Sequence, residues 1–317
     1  MQRLAGRWQE LMRQGRFEEA WRVSDAIARA QAGVNCRHWP RHRQFIWDGS
    51  PLAGKRVLVR CYHGLGDTIQ YARLLERASA RAAQLIVWAQ PLLIPLLATV
   101  PGCGTLVPLH EGEPDVDHEV DIEIAELSHA LRITLEDLPQ AIPYVHIEPA
   151  ARQACEELVV GLVWSAGDWD PRRSVPIERL ARLARVPGVL WQILQRGPAR
   201  AQWCHEFARA SEITDVVDEA RQLGALDLLI TVDTFSAHLA GALGVPVWTL
   251  LHADPDWRWM TQRSDTPWYP SMRLFRQPRA GDWESVLAQV TQALEVESAR
   301  ARALSSWRAR YPRKLDG

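Results

Sequence analysis

The sequence predicts an α/β protein with two similar halves, each built on a parallel sheet, and a helical segment in front of them. Apolar runs of strand length alternate with amphipathic helical patterns along most of the chain. Tight turns rich in glycine or aspartate follow several of these runs, as in βαβ units with parallel strands and right-handed crossovers. The length of 317 residues suits about two domains.

Composition and charge favour a soluble globular protein from a reducing compartment. Hydrophobic residues make up 47% and charged residues 24% of the chain. The formal net charge of -1 argues against a nucleic-acid partner. The five cysteines are scattered without a C-x-x-C pair, which favours free thiols over disulfides or a zinc site. Lysine occurs only at Lys55 and Lys314, so we expect arginine to hold any bound anion.

No segment is predicted to cross a membrane. Residues Met1–Arg16 are polar and basic, unlike a secretory signal. The most apolar window, Leu85–Val100, is interrupted by prolines and is shorter than the roughly 20 residues of a membrane helix. We therefore expect a cytoplasmic protein. The arginine-rich tail from Arg300 is interpreted as a solvated surface, with peripheral contact to anionic lipid at the inner membrane as the alternative.

Residues 1–50 are predicted to form a helical hairpin and a polar linker. Helical periodicity runs from Leu4 to Gln31 and is broken at Gly15, which resembles one tetratricopeptide unit of about 34 residues. A single unit cannot bury its own apolar face. It therefore either packs on the body of the protein or remains from a longer array.

Residues 51–152 are predicted to form the first α/β domain. Its first strand, Arg56–Arg60, is followed by the turn Gly64–Asp67 and a helix over Thr68–Arg81. A further helix is expected to start at Pro91. The other predicted strands are Leu85–Ala89, Thr105–Leu109 and Asp121–Ala125.

Residues 153–281 are predicted to form the second α/β domain, and residues 282–317 a C-terminal helix and tail. The predicted strands are Val159–Trp164, Val189–Leu194, Ile213–Val217, Leu226–Val232 and Val245–Leu251. Helices are expected over Pro176–Arg185, Asp218–Gly224 and about Trp283–Arg302, with an aromatic loop over Asp254–Pro270. The cleft between the two halves is the expected ligand site.

The strand Leu226–Val232 ends in Asp233-Thr234, after which a helix rich in small residues begins. A helix N-terminus at the carboxyl end of a parallel strand offers free N–H groups and a positive dipole end to a phosphate. An ordinary capped turn is the alternative. His238 lies one helical turn after Thr234 on the same face, as a site residue or a packed core histidine.

The turn Gly64-Leu65-Gly66-Asp67 opens the first helix of the first domain. Asp67 is interpreted as a helix N-cap or as a general base facing the cleft. A nicotinamide-dependent oxidoreductase is a weaker hypothesis, because Ile69 stands where the G-x-G-x-x-G pattern needs its third glycine.

Arginines follow two strand ends of the second domain. Arg172 and Arg173 could neutralise a diphosphate without a metal, and Arg196 is a second candidate phosphate contact; exposed surface arginines are the alternative. Asp168 and Asp170 match the Asp-x-Asp pattern of metal-dependent sugar transferases. The same pattern recurs at Asp115/Asp117 and Asp254/Asp256, so it indicates little here.

Two aromatic clusters occupy the loop after the last predicted strand. They are Trp257-Arg258-Trp259 and Trp268-Tyr269-Pro270. This loop either packs onto the body of the protein or covers a bound sugar or base.

Taken in order, these segments resemble the heptosyltransferase-like proteins of glycosyltransferase family 9, in the bacterial branch that carries tetratricopeptide repeats. The resemblance covers about residues 50 to 296. The segments that carry it are Gly64–Gln70, Gly161–Trp164, Arg173–Pro176, Leu194–Gly197, Asp233–Gly241 and Asp256–Trp259.

The resemblance implies a GT-B fold, in which two Rossmann-like domains face each other across a cleft. It implies a Leloir-type hexosyl- or heptosyltransferase that inverts the anomeric centre, with a nucleotide-diphosphate sugar as donor and no cofactor or essential metal. The acceptor is a glycan, a lipid-linked sugar or a protein, bound mainly by the first domain. The alternative is a catalytically silent GT-B module that binds a nucleotide or a partner protein.

The resemblance also assigns site residues. Asp67 matches the proposed base, and Thr234 and Phe235 are placed to offer amide N–H groups to the diphosphate. The predicted donor-side residues are Arg173, Gln195, Arg196, Asp233, Thr234, Phe235, Ser236 and His238. The predicted acceptor-side or sugar-side residues are Gly64, Leu65, Gly66, Trp257 and Arg258, and no metal ligand is assigned.

This chain departs from the family pattern at several positions. Arg196 replaces a common lysine and keeps the charge, whereas Phe235 stands where a small residue is usual and narrows the expected donor pocket. The run Trp164–Gly167 differs from the usual Trp-Ala-Gly. The repeat array is reduced to about one unit, which argues against recognition of a protein acceptor by an array.

Overall fold

The computed structural model describes residues 2–138, 142–152, 155–167 and 169–310. Two sheets, each with all strands parallel, form the framework. The first contains β1 (Arg56–Arg60), β2 (Gln84–Ala89), β3 (Thr105–Pro108) and β4 (Val120–Glu123), in the order β3-β2-β1-β4. The second contains β5 (Leu158–Val163), β6 (Val189–Ile193), β7 (Ala208–Ala210), β8 (Leu228–Val232), β9 (Val247–Leu251) and β10 (Met272–Arg276), in the order β10-β9-β8-β5-β6-β7.

Helices connect and cover the strands. They are α1 (Gln2–Arg13), α2 (Phe17–Gln31), α3 (Leu65–Ala72), α4 (Leu75–Ser79), α5 (Ile94–Leu97), α6 (Leu127–Ala130), α7 (Val216–Gly224), α8 (Phe235–Ala242) and α9 (Trp283–Arg310). The central strand β8 is buried along its whole length, as expected for a strand covered on both faces. The predicted α/β class with two parallel sheets is confirmed.

Several predicted elements differ from the structure. The helix expected over Thr68–Arg81 begins earlier, at Leu65, and is divided into α3 and α4 around Arg73. The strand expected over Ile213–Val217 is wrong, because Asp215 accepts hydrogen bonds from the amides of Val217 and Asp218 and caps α7 there.

Other differences concern element type and extent. Residues Ile177–Arg185 form 3-10 turns rather than an α-helix, and the strand β10 was not predicted. The aromatic loop was expected to end at Pro270 with no strand after it. In the structure β10 completes the sheet by pairing with β9.

The N-terminal hairpin packs on the body of the protein, the first of its two predicted alternatives. Gly15 has a positive φ of 73° at the turn between α1 and α2. The Trp21 indole is buried and donates to the Ile133 carbonyl at 2.7 Å. On the other side, Arg13 lies 2.9 Å from Asp254. The hairpin therefore contacts both α/β regions.

A single apolar core joins the hairpin, the first sheet and the face of the second sheet that α8 covers. A second core lies on the opposite face of the second sheet, where α9 contributes Val286, Leu287, Val290 and Leu294. The shared core fixes the position of α3 relative to α8. Within the described residues, no helix has the length and apolarity needed to span a membrane.

Candidate functional site

The N-terminus of α8 lies at the carboxyl end of β8. Thr234 is the extended N-cap residue, and no side chain caps the helix. The first amides of the helix are therefore left for another acceptor. Phe235, partly exposed, is the first helical residue. The helix start lies where the sequence predicted it, and phosphate binding by its amides stays a prediction.

Arg173 lies over this helix start. Its Nη1 donates to the Asp233 carbonyl at 3.1 Å, which anchors the guanidinium at the end of β8. Its Nε is buried without a hydrogen-bond partner. A buried N–H of this kind is costly to leave unmet, so an anionic oxygen at this position would be stabilised.

Arg196 is tied to the same helix through a buried carboxylate. Its Nη1 lies 3.0 Å from Glu219 Oε2, and the Ser236 hydroxyl donates to the other carboxylate oxygen. Glu219 is fully buried, and burial raises its pKa despite the opposing effects of Ser236 and Arg196. The Arg196 side chain remains 42% exposed, so part of the guanidinium is open to a ligand.

Gln195 has a supporting position. Its amide oxygen accepts from the amides of Trp164 and Ser165, at 3.0 and 2.9 Å, and its nitrogen donates to the carbonyls of Ser165 and Arg196. The whole amide group is thus engaged with the backbone. Gln195 holds the loop after β5 in place, and we infer no direct contact with a donor.

His238 is a packed residue at the interface of the two sheets. Its Nδ1 lies 2.9 Å from the Tyr269 hydroxyl, and its ring stacks on Trp259 at 5.5 Å. Burial, assisted by the charge of Arg258, lowers its pKa to about 3, so the ring is neutral at physiological pH. A neutral imidazole positions its neighbours but adds no charge for a diphosphate.

Asp67 faces α8 from the first turn of α3. Its Oδ2 accepts from the Gly64 amide at 3.1 Å, and its Oδ1 lies 2.7 Å from Arg258 Nη1. Burial opposes ionisation, but the charge and the hydrogen bond of Arg258, together with smaller contributions from His238 and His63, outweigh it, and the pKa of Asp67 is lowered. The predicted N-cap role is therefore wrong: Gly64 is the N-cap residue of α3, and Asp67, three residues later, accepts the hydrogen bond from its amide. The role of Asp67 as a general base stays a prediction.

Arg258 reaches Asp67 from the aromatic loop after β9. Asp256 Oδ1 holds its Nε at 2.9 Å, and its Nη1 donates to Gln70 Oε1 at 2.7 Å. Trp257 packs on Trp8 of the hairpin at 5.2 Å. The loop is therefore packed onto the body, and it contributes one charged group to the site.

Helices α3 and α8 meet with little space between them. A Cβ at Gly66 would lie 2.8 Å from His238 Cδ2 and 3.5 Å from Phe235 Cα. Gly64 is exposed and Leu65 partly buried at the same turn. Close approach of the two helix starts is thus the reason for glycine at position 66.

The sequence did not indicate a second ion pair, which lies at the carboxyl edge of the first sheet. His63 Nδ1 lies 2.8 Å from Oε1 of the buried Glu123, at the carboxyl end of β4. Burial lowers the pKa of His63, but the contact with Glu123 outweighs it and the net shift is upward. Neighbouring parallel strands end at the same edge of a sheet. The predicted ends of β1 and β4 could therefore have indicated that His63 and Glu123 lie close together.

Metal ligation finds no support among the described side chains, where no group of three or more His, Cys, Asp or Glu could hold an ion. Asp168 lies outside the described residues. Asp170 is engaged by Arg172, whose hydrogen bond lowers the pKa of Asp170 to about 2. The arginine-rich tail was predicted to begin at Arg300, but α9 continues to Arg310; residues 311–317 lie outside the described residues.

Comparisons with known proteins give the fold. The family 9 glycosyl transferase of Veillonella parvula superposes with a TM-score of 0.54 at 14% identity, covering 78% of this chain and 99% of that one. The ADP-heptose lipopolysaccharide heptosyltransferase II of E. coli gives 0.55 at 17% identity, covering 76% and 99%. No family model matches the chain.

A curated relative is Protein FlbA of Caulobacter vibrioides, 27% identical over 291 residues. The match covers 78% of this chain and 48% of FlbA, so the chain spans about half the length of the curated relative it matches. The two solved structures match along nearly their whole lengths, each with a TM-score above 0.5. The chain therefore has the GT-B fold of the heptosyltransferase-like (glycosyltransferase family 9) proteins that its sequence motifs resemble.

Proposed function

We propose that this protein is an inverting, metal-independent glycosyltransferase that takes a sugar from a nucleotide-diphosphate donor. The observation that carries the proposal is the convergence, at one helix start, of open amides, the unpartnered Nε of Arg173 and the exposed part of Arg196. These groups favour a diphosphate. Asp67 lies on the opposite side of the interface, where an acceptor would bind.

In the proposed reaction, Asp67 accepts the proton of an acceptor hydroxyl as its oxygen attacks the anomeric carbon. The bond from that carbon to the diphosphate breaks, and its electron pair leaves with the diphosphate. The amides of Thr234 and Phe235, with Arg173 and Arg196, stabilise the departing charge. The lowered pKa keeps Asp67 ionised at neutral pH. The Arg258 side chain must move away from Asp67 before an acceptor hydroxyl can contact this carboxylate.

The test is a panel of nucleotide sugars, with ADP-heptose included because heptosyltransferase II is named for it. Binding is measured by calorimetry and turnover by release of the nucleoside diphosphate. Asp67→Ala should lower turnover by about 10²–10⁴. The exposed Asp117 on the same domain serves as the matched control, since Asp117→Ala should leave turnover unchanged.

Two outcomes would contradict this proposal. Full transfer activity in Asp67→Ala would remove the assigned base. Activity that disappears with EDTA and returns with Mn²⁺ would establish the metal-dependent alternative.

A second candidate is a catalytically silent nucleotide-binding or partner-binding module. Two observations favour it. Arg258 forms an ion pair with the proposed base Asp67, and the bulky Phe235 is the first residue of α8, where the diphosphate would bind. Binding of a nucleotide sugar without turnover, with any acceptor tried, would select this candidate over the enzyme.

A further inference from the structure

The linker between the hairpin and the first sheet encloses a cavity of about 210 Å³ that the proposed reaction does not use. Arg41 holds the linker against the loop after β3, donating to the carbonyls of His110 and Gly112 at 2.7 and 3.2 Å. Its guanidinium lies over the Tyr62 ring at 5.1 Å. The cavity lies beneath this contact, at the carboxyl end of β1.

The lining is polar and carries both signs of charge. The linker contributes Arg37, Trp39, Arg41 and Gln44, β1 and its end contribute Arg60 and Tyr62, and the opposite loop contributes Glu111 and Glu113. A purely anionic ligand would meet the two glutamates, and an apolar ligand would desolvate charges without replacing their hydrogen bonds. A neutral ligand rich in hydroxyls can donate to the glutamates and accept from the arginines.

Two aromatic rings border the same space. Trp39 is 39% exposed, whereas Tyr62, also in the lining, is partly buried and already has the Arg41 guanidinium over its ring. A flat ring favours a ligand with an apolar face. Pyranose sugars combine such a C–H face with a rim of hydroxyls, and a space of this volume holds one ring rather than a polymer.

Arg60, in the wall of the cavity, is held by partners within the protein. Arg60 is 3% exposed, and Asp121 engages it through both carboxylate oxygens. The same guanidinium lies over the Trp88 ring at 5.4 Å. Its third nitrogen, Nη1, donates to the Tyr62 hydroxyl, so Arg60 fixes the position of Tyr62 in the lining. A side chain that is already held in place lowers the ordering cost of binding.

The position relates the cavity to the proposed reaction. Tyr62 follows β1 directly and precedes the turn that carries Asp67. Next to Arg41 in the linker, the His42 ring lies 6.4 Å from the Trp169 ring, in the loop that leads to Arg173. The linker therefore contacts both the cavity and the loop on the donor side.

We propose that this cavity is a carbohydrate subsite that holds one pyranose unit of a glycan acceptor, set back from the hydroxyl that receives the transferred sugar. The proposal rests on the proposed function for its place in a reaction, but binding of the sugar does not depend on turnover.

The experiment uses the full chain and a panel of methyl pyranosides, with inorganic phosphate as the anionic probe, observed by saturation-transfer NMR. At least one pyranoside should bind, and Trp39→Ala should weaken it about three- to tenfold through loss of ring stacking. Nucleotide affinity should not change. Leu92→Ala, an exposed apolar side chain elsewhere on the first domain, is the matched control and should bind normally.

Absence of binding by every pyranoside, unchanged binding by Trp39→Ala, or binding of phosphate alone would overturn the proposal. If Trp39→Ala does not fold, Glu113→Gln tests the same wall, since that side chain is 69% exposed and its loss leaves the core intact. Failure of nucleotide-sugar turnover with retained pyranoside binding would count against the enzyme and not against this subsite.

Discussion

Arg258 Nη1 lies 2.7 Å from Asp67 Oδ1, so a guanidinium from the second domain neutralises a carboxylate at the first turn of α3. The pair joins the two halves of the protein at the predicted site. It has two consequences. It adds electrostatic stability to the domain interface, and it restrains the group that we propose as the catalytic base.

Removing Arg258 should destabilise the fold. The two side chains are only 14% and 23% exposed, so Arg258→Ala leaves a poorly solvated carboxylate without its partner. We expect a loss of about 2–5 kcal/mol in the free energy of unfolding by urea. Asp67→Asn in the Arg258→Ala background should recover much of the loss, because the buried charge is then absent.

The matched control for this prediction is Arg263→Ala. Arg263 pairs with Asp265 at the same 2.7 Å, but on the surface, and its loss should cost less than about 1 kcal/mol. Equal effects of Arg258→Ala and Arg263→Ala would contradict the account of the Asp67 pair.

Gly66→Ala should force α3 and α8 apart. Because the added Cβ would lie 2.8 Å from His238 Cδ2, we expect a loss of about 1–3 kcal/mol. Gly6→Ala in α1 is the control, because nothing lies within 4 Å of that Cβ and alanine favours helix by about 1 kcal/mol. Thermal unfolding of both variants measures the difference, and a stabilised Gly66→Ala would contradict the close contact.

The hairpin should contribute to global stability. Trp21 is 3% exposed and its indole hydrogen bond reaches the first domain, so Trp21→Ala should cost about 3–5 kcal/mol. Trp169→Ala, at a tryptophan that is 82% exposed, should change stability by less than about 0.5 kcal/mol. Urea unfolding monitored by far-UV circular dichroism compares them. A negligible effect of Trp21→Ala would indicate an independently attached hairpin.

Glu126 should make stability fall as pH rises. Burial raises its pKa from 4.5 to about 7, although the amides of Glu123, Trp47 and Ile46 partly oppose this. Between these two values the folded protein binds more protons than the unfolded chain, so the contribution is full below pH 4.5 and declines towards pH 7. The total decline is at most about 3 kcal/mol.

Melting temperatures of the wild type and Glu126→Gln from pH 4 to pH 8 test this prediction. The variant should show a flatter profile because its amide does not titrate. Glu178→Gln, at an exposed carboxylate, should keep the wild-type slope. A Glu126→Gln profile parallel to the wild type would assign the pH dependence to other groups.

Local patterns were sufficient for much of the fold. Strand β1 was predicted at its observed bounds, and the helix start after β8 within one residue, because apolar runs and turn residues act over short distances. The break between α3 and α4 was not predicted. There the Leu74 amide donates three residues back, to Tyr71, and the Arg73 side chain donates to the Leu138 carbonyl, a partner 65 residues away.

The sequence by itself determined the α/β class, the two parallel sheets and the chemistry available at their strand ends. Those properties depend on residue period, turn chemistry and the order of motifs. Only the tertiary structure decided which groups are free to act. Gln70 and Arg258 meet although they are 188 residues apart, Glu219 joins Arg196 to Ser236, and the linker closes a cavity over Arg60. Such partners are selected by packing and by the need to satisfy buried charge, which no local pattern contains.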